Sequence, residues 1–323
     1  MTSSKRRLCV IVNPVSGVNR SALEIIERFI ETHRDQLDVT LCHTRAGGDA
    51  TRFAAQAAQN GVDLVAAYGG DGTMMEAAIG LVGTGIPLVM LPGGTANVMA
   101  IDLGIPNDLE GALALAAAPD VRVRSVDMGK LDGEYFLLRA GIGYEAEMSA
   151  QAARGEKSRK GRLAYFENAL RRLRNLRQTT YILTVDGETH VRRGVTCMIC
   201  NSSGVGIPNL RLTYNSDVSD GYLDVIVIRN MQPGTILKTI LHMLRSILPG
   251  PKHLGRVHVD HWQAKHVTVQ MKRRQFVARD GEPLKRSKRV TAEVVPHAIR
   301  VIVPPGVQAD TVAEDTRESL GRD

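Results

Sequence analysis

Between a strand-like stretch, Val62 to Ala67, and a helix-like one, Met74 to Leu81, the chain carries Tyr68-Gly69-Gly70-Asp71-Gly72-Thr73. Three glycines around one carboxylate make this junction a tight strand-to-helix turn whose backbone N–H groups stand open to a polyphosphate. The helix that follows adds a partly positive N-terminus. A turn of this kind on its own is a weak signal that a tight structural turn also explains, and its weight comes from what surrounds it.

The first 126 residues alternate strand and helix signals. Leu8 to Val12, Val39 to His43, Val62 to Ala67 and Pro87 to Leu91 read as strands, with helical stretches at Ser21 to His33, Gly47 to Gln59 and Leu109 to Ala118. Such alternation predicts a parallel sheet flanked by helices, a Rossmann-like three-layer α/β domain over 1–126. The pattern then changes. Short strand signals follow from Tyr135 to Leu138 through Val290 to Val294, separated by turns such as Asp186-Gly187 and Asp220-Gly221. They predict an antiparallel β-sandwich over 127–296 with two helical insertions. A last strand, Ile299 to Val303, is expected to complete the first domain within 297–310, with a polar tail at 311–323.

The formal net charge is +7, from 41 Lys+Arg against 34 Asp+Glu, which favours anionic partners such as nucleotides, nucleic acid or a membrane surface. Aromatic residues make up only 4% of the chain, which weakens a reading based on bases stacked on aromatic platforms. No apolar run approaches the roughly 20 residues of a membrane-spanning helix. The basic start lacks the long apolar segment of a signal peptide, so a cytoplasmic protein is expected. Four cysteines agree with that compartment. Cys197 and Cys200 lie in a strand pattern with no second pair to complete a zinc site, and are expected to be buried and inert.

Several motifs fall just beyond predicted strand ends: Asn13-Pro14-Val15-Ser16-Gly17, Thr44, Gly69 to Thr73, and Gly93-Gly94-Thr95-Ala96-Asn97. That is the sheet edge where open α/β folds bind ligands. No Gly-x-x-x-x-Gly-Lys-Ser/Thr is present, so phosphate binding has to come from amides, hydroxyls and nearby cations rather than a Walker loop. In Asp280-Gly281-Glu282, extended backbone would project both carboxylates to one face, as a proton-accepting site requires; an ordinary acidic hairpin turn is the competing reading. Asp217, Asp220 and Tyr222 mark a second acidic turn.

Taken together, these elements resemble the diacylglycerol kinase catalytic family of lipid kinases. The shared motifs are the Asn-Pro-x-Ser-Gly turn, Gly-Gly-Asp-Gly-Thr with Glu76 after it, Gly-Gly-Thr-Ala-Asn, Ser219-Asp220-Gly221-Tyr222-Leu223-Asp224 and Asp280-Gly281-Glu282-Pro283, spread from Val10 to about Pro304. The resemblance implies ATP bound by Asn13, Ser16, Gly17, Thr44, Gly69, Gly70, Asp71, Gly72, Thr73, Glu76 and Thr95. It implies Glu282 as proton acceptor with Asp280 beside it, the reverse assignment being left open, and Asp71 in the acidic network. It also implies a structural Mg²⁺ at the Asp220 carboxylate and the carbonyls of Asp217 and Tyr222, apart from the Mg²⁺ that accompanies ATP. Val98 stands where many relatives have aspartate. The expected partner is a lipid at the inner membrane face, met peripherally, with no nucleic acid; a homodimer is left open. Two rivals remain: a soluble kinase of the NAD kinase kind, and a non-catalytic lipid- or nucleic-acid-binding protein.

Weaker signals complete the reading. Gly161 to Gln178 is a basic amphipathic helix pattern and Thr235 to Leu248 a more apolar one. His258, Asp260 and His266 share strand parity without a known metal spacing. Lys272-Arg273-Arg274 and Lys285-Arg286 with Lys288-Arg289 are basic clusters that would attract an anionic membrane by about 1 kcal/mol per well-placed charge.

Overall fold

A computed structural model describes residues 5–16, 21–155, 178–202, 204, 217–230 and 258–307. Gly17, the two helical patterns at 161–177 and 235–248, and the tail from Gln308 lie outside them.

The first half is built from β1 (Arg6–Val12), α1 (Ala22–Thr32), β2 (Leu37–His43), α2 (Asp49–Gln59), β3 (Leu64–Gly69), α3 (Asp71–Leu81), β4 (Pro87–Pro92), α4 (Val98–Asp102) and α5 (Leu109–Ala117). The four strands run parallel in the order β2-β1-β3-β4. Every residue of β3 is buried, because helices cover both faces of a sheet whose strands are joined by crossovers. In α1 the buried Ala22 and Ile26 lie four residues apart, one helical turn, and set the face that meets the sheet. The helices pair, α1 with α5 and α2 with α3. This topology gathers the carboxyl ends of all four strands at one edge.

The second half comprises β5 (Val123–Leu131), β6 (Glu134–Phe136), β7 (Arg139–Gly143), α6 (Tyr144–Gly155), β8 (Thr179–Val185), β9 (Glu188–Gly194), β10 (Thr196–Cys200), β11 (Leu223–Asn230), β12 (His258–Ala264), β13 (His266–Gln275), β14 (Val277–Arg279), β15 (Glu282–Pro283) and β16 (Ser287–Ile302). A six-stranded sheet, β12-β11-β10-β7-β14-β15, faces the strands β13, β8, β16 and β5 of the larger sheet. Phe136, Ile142, Tyr181, Leu183, Ile199 and Val225 fill the space between. Cys197 turns into this core and Cys200 away from it, both thiols free and fully enclosed, and burial pushes the Cys200 thiol up to about 12.

The C-terminal strand differs from its sequence pattern. Val290 to Val294 and Ile299 to Val303 are one strand, not two. Its first part pairs antiparallel with β13 (Val269 with Val290) and its last part parallel with β4 (Arg300 with Pro87, Val301 with Leu88). One ten-stranded sheet therefore runs through both halves of the molecule. The register against β5 shifts between Val295 and Ile299, where His297 takes a left-handed φ of 50°. The wholly buried Asp127 holds that irregularity: its carboxylate accepts from His297 N and Gly221 N, each at 2.7 Å. Pro296 breaks the pattern locally, and pairing on both sides carries the chain through.

Asp280-Gly281 is the second departure. Both residues have positive φ, 45° and 83°, as do Asp132-Gly133 and Asp186-Gly187. These are two-residue hairpin turns whose twist matches that of the flanking strands. The extended backbone that would send Asp280 and Glu282 to one face is absent, and the two carboxylates diverge.

Candidate active site

The loops at the carboxyl edge of the parallel sheet interlock. Asn13 Nδ2 donates to Thr73 Oγ1 at 3.0 Å, and Ser16 Oγ accepts from Gly70 N at 2.9 Å. A Cβ on Gly94 would stand 2.6 Å from Gly70 Cα, so the turns after β3 and β4 touch backbone to backbone. Only glycine permits this approach. Asp71, the first residue of α3, accepts from Val98 N at 2.7 Å and ties the third loop to the start of α4. Burial pushes its carboxyl upward, with the amides of Val98, Met99 and Asn97 and the charge of Arg139 pulling down. Asn97 stands at φ 47°, and its side chain closes the fourth loop by accepting from Gly94 N at 2.9 Å.

Glu76 leans away from the glycine turn onto α2, where its Oε2 accepts from Ala50 N at 3.2 Å. Thr44 is buried, and its N–H donates to Val12 O at 2.9 Å. Thr95 stands exposed at the tip of the fourth loop. A Cβ on Gly72 would meet nothing within 4 Å, so the middle of the glycine turn faces open space. The described members of the proposed ATP set thus lie at the carboxyl ends of the four parallel strands and in the first turns of α3, with Gly72 and Thr95 exposed.

Asp280, in the turn between β14 and β15, is half-buried and accepts three backbone bonds. Its Oδ2 accepts from Leu137 N at 2.7 Å and its Oδ1 from Leu138 N and Arg139 N, both at 2.8 Å. It anchors the β6–β7 connection with three of a carboxylate's roughly four acceptor positions. Glu282, in β15, is exposed.

Two residues the sequence reading passed over stand between the halves. Arg139, at the start of β7, donates to Gly204 O at 3.0 Å, and its charge acts on both Asp71 and Glu145. It therefore lies within electrostatic reach of the glycine turn on one side and of the β domain on the other. Glu145, in the first turn of α6, is largely buried, and burial pushes its carboxyl upward against the pull of Arg139. The signal for both was present: a lone arginine inside the apolar run Phe136 to Ile142, and an acid just after Gly143. Spacing did not say what they would face.

The second acidic turn draws Asp220 close to Asp224 and Asp127, and burial with those neighbours pushes its carboxyl upward. Asp220 accepts from Tyr222 N at 2.9 Å and from Gln263 Nε2 at 3.1 Å. The Asp217 carboxylate is committed to Arg124 and to Ser219 N, and its carbonyl accepts from Asp220 N at 3.4 Å. Crowded carboxylates and oxygen-only donors fit a hard cation such as Mg²⁺. At the other candidate, Asp260 is paired with Arg229 and Arg192, and His266 with Glu293. Among the described residues no three His, Cys, Asp or Glu form a metal-holding group.

An α/β domain with amide-rich turns at one sheet edge, joined to a β-sandwich, is an arrangement that suits phosphoryl transfer. The family model of the diacylglycerol kinase catalytic domain matches residues 7–131, and that of the YegS C-terminal NAD kinase beta sandwich-like domain matches residues 139–303. The chain is 30% identical to a probable lipid kinase YegS-like of Pseudomonas syringae pv. syringae, over 93% of this chain and 94% of the relative. It is 27% identical to a diacylglycerol kinase of Bacillus subtilis, over 86% and 90%. It is similar to a solved structure of a putative diacylglycerol kinase from Bacillus anthracis, with TM-score 0.74 and 25% identity, covering 95% of this chain and 99% of that one. The chain belongs to the diacylglycerol kinase catalytic family: it is an ATP-using lipid kinase.

Proposed function

We propose that this kinase transfers the γ-phosphate of ATP to the hydroxyl of a diacylglycerol-like or sphingoid lipid, with Glu282 accepting the hydroxyl proton. The observation that carries the reading is the interlock of the loops after β1, β3 and β4, with Arg139 acting electrostatically on Asp71 at that edge and on Glu145 of the β domain. Phosphoryl transfer asks a protein mainly for positioning and charge stabilisation. Amides of the Gly69 to Thr73 and Gly93 to Asn97 turns would hold the triphosphate. Mg²⁺, when bound with ATP, supplies neutralisation of the developing charge.

Glu282 is the better candidate for proton acceptor because it is exposed, whereas three amides occupy Asp280. A second, structural Mg²⁺ is assigned to the Asp220 carboxylate and the carbonyls of Asp217 and Tyr222, where carboxylate crowding favours a cation. No helix among the described residues is long and apolar enough to cross a membrane, so contact with lipid would be peripheral. The exposed cations Lys272, Arg273 and Arg274 at the end of β13 adjoin Lys285, Arg286, Lys288 and Arg289, beside the Glu282 hairpin. They would draw that side of the molecule to an anionic surface.

The test is to incubate the pure protein with labelled ATP and a panel of lipids plus NAD. Label on a lipid supports the reading, and label on NAD alone decides for a soluble NAD-type kinase. Glu282→Gln should keep ATP affinity and lose transfer by roughly 10²-fold or more, the usual share of a general base. Full activity in that variant removes Glu282 from the mechanism.

A further inference from the structure

The glycine turns offer amides but no cation of their own. Asn13 to Ser16, Gly69 to Thr73 and Gly93 to Asn97, the described parts of the loops after β1, β3 and β4, contain no lysine or arginine. Sites that transfer a phosphoryl group add such a cation to their amides and Mg²⁺, because charge spreads over the transferring oxygens. A cation whose charge reaches this edge comes from the other half of the molecule: Arg139 acts on Asp71 of the glycine turn.

Ala140 and Ile142 of β7 point into the sandwich core, so Arg139 projects from the opposite face of the six-stranded sheet. It is half-buried and keeps part of its surface open. Its backbone N–H donates to Asp280 Oδ1 at 2.8 Å, which fixes it beside the hairpin that carries Glu282. One guanidinium N–H donates to Gly204 O at 3.0 Å. The other guanidinium nitrogens are not sealed from solvent, and among the described residues they take no hydrogen-bond partner and no carboxylate pairs with them. Arginine cannot shed its charge, and drawing it partly out of water without a counter-charge is unfavourable unless an anion completes the site.

The short helix α4 brings this arginine to the glycine turn. At its start, Val98 N donates to Asp71 Oδ1 at 2.7 Å. At its end, the Asp102 carboxylate accepts from Ser202 Oγ, which in turn accepts from Gly204 N at 3.2 Å. A Cβ on Gly204 would overlap that carboxylate, so the backbone that holds Arg139 lies directly against α4. The N–H groups of Asn201 and Ser202 both donate to Leu138 O, which ties the same segment to the strand bearing Arg139. Asp71 and the Gly204 carbonyl thus stand at opposite ends of a helix only about 7.5 Å long. The charges of Asp71 and Arg139 act on each other without forming an ion pair, a gap that an interposed phosphoryl group can occupy.

Resting on the lipid-kinase reading above, we propose that Arg139 is a further catalytic residue, whose free guanidinium N–H groups bind the γ-phosphate of ATP and hold it through the transfer. As the lipid oxygen bonds to the γ-phosphorus, the bond to the β,γ-bridging oxygen breaks; ADP keeps that electron pair and the hydroxyl proton goes to Glu282. Arg139 keeps its protons and its charge throughout. Its planar fork matches two phosphoryl oxygens at once, which a lysine in its place could not do. The Gly204 carbonyl aims the group by occupying one N–H and leaving the rest for the ligand.

The experiment compares two nucleotides that differ only at the γ-phosphate. Calorimetry on the full chain with Mg²⁺ measures affinity for the non-hydrolysable imido analogue of ATP and for ADP, in wild type, Arg139→Ala and Arg139→Lys. Arg139→Ala should bind the analogue at least about tenfold more weakly, the share of a charge-assisted hydrogen bond, while ADP affinity stays within about twofold. Arg139→Lys, which keeps the charge and loses the fork, should fall between them. With diacylglycerol in mixed micelles and saturating ATP, kcat of Arg139→Ala should drop by about 10²-fold or more. A structural role would weaken both nucleotides alike; that result, or an unmoved ratio of the two affinities, overturns the assignment. If urea unfolding shows Arg139→Ala to be unfolded, the ratio in Arg139→Lys decides in the same way: a fall supports the contact and no change overturns it. The binding arm needs no lipid, so a wild type that labels no lipid sinks the lipid-kinase reading alone, and an unmoved ratio in an active kinase sinks this inference alone.

Discussion

Asp280 offers the sharpest separation between a structural and a chemical carboxylate. Asp280→Asn preserves size and suits the left-handed backbone at φ 45°, since asparagine tolerates that region well. The amide oxygen can replace Oδ1 and keep the two bonds from Leu138 N and Arg139 N at 2.8 Å. The amide nitrogen must then take the place of Oδ2 and point a donor at Leu137 N, which donates to that oxygen at 2.7 Å. One charge-assisted bond, worth roughly 1.5–3 kcal/mol, is lost, and a buried N–H is left unpaired. Part of this is offset, because burial penalises the ionised aspartate and the amide carries no charge. A net loss of about 2–3 kcal/mol is therefore expected, a large share of the ~5–15 kcal/mol that holds a typical domain together. Urea unfolding monitored by circular dichroism measures it as a lower midpoint at unchanged slope. If instead the midpoint stays within error while phosphoryl transfer collapses, Asp280 is a chemical group and the anchoring argument is wrong.

Two further perturbations address the loops. Gly94→Ala places a methyl 2.6 Å from Gly70 Cα, and backbone there cannot swing aside, so ATP affinity measured by calorimetry should fall at least tenfold; unchanged affinity would show that the two turns do not jointly hold the nucleotide. The Asp49 carboxyl is held down to about 2 by Arg52 and by the amides of Arg45 and Ala46. A depressed acid stabilises the fold above its unfolded range and loses that contribution as pH falls toward about 2. The wild type should then lose more of its urea midpoint than Asp49→Asn between pH 5 and pH 2.5, and equal losses would refute the assignment.

The α/β half was legible because its signals are local. Strand and helix periods, and glycine turns at strand ends, follow from residues within a few positions of one another. The same holds for the Asp-Gly hairpins: Asp186-Gly187 is a turn in sequence and in space. Where the reading of Asp280-Gly281-Glu282 went astray, it treated a two-residue turn as extended chain. The positive φ of Asp280 is held from 143 positions away in the chain, by the amide of Leu137. The division of the last apolar stretch into two strands failed for a related reason. Pro296 interrupts the local pattern, and only pairing with β5, β13 and β4, together with the buried Asp127, carries the strand across it.

What the amino-acid order determined alone is the architecture of the first half, the placing of its glycine turns at strand ends and the membership of a kinase family, since each rests on short motifs that carry their own geometry. Tertiary structure decided which acids are free to act. Asp280 accepts from three amides that lie 141 to 143 positions away, and Glu282 is exposed. A carboxylate's role depends on which donors surround it and how much water it loses, and those are properties of packing between distant segments, which spacing along the chain does not encode.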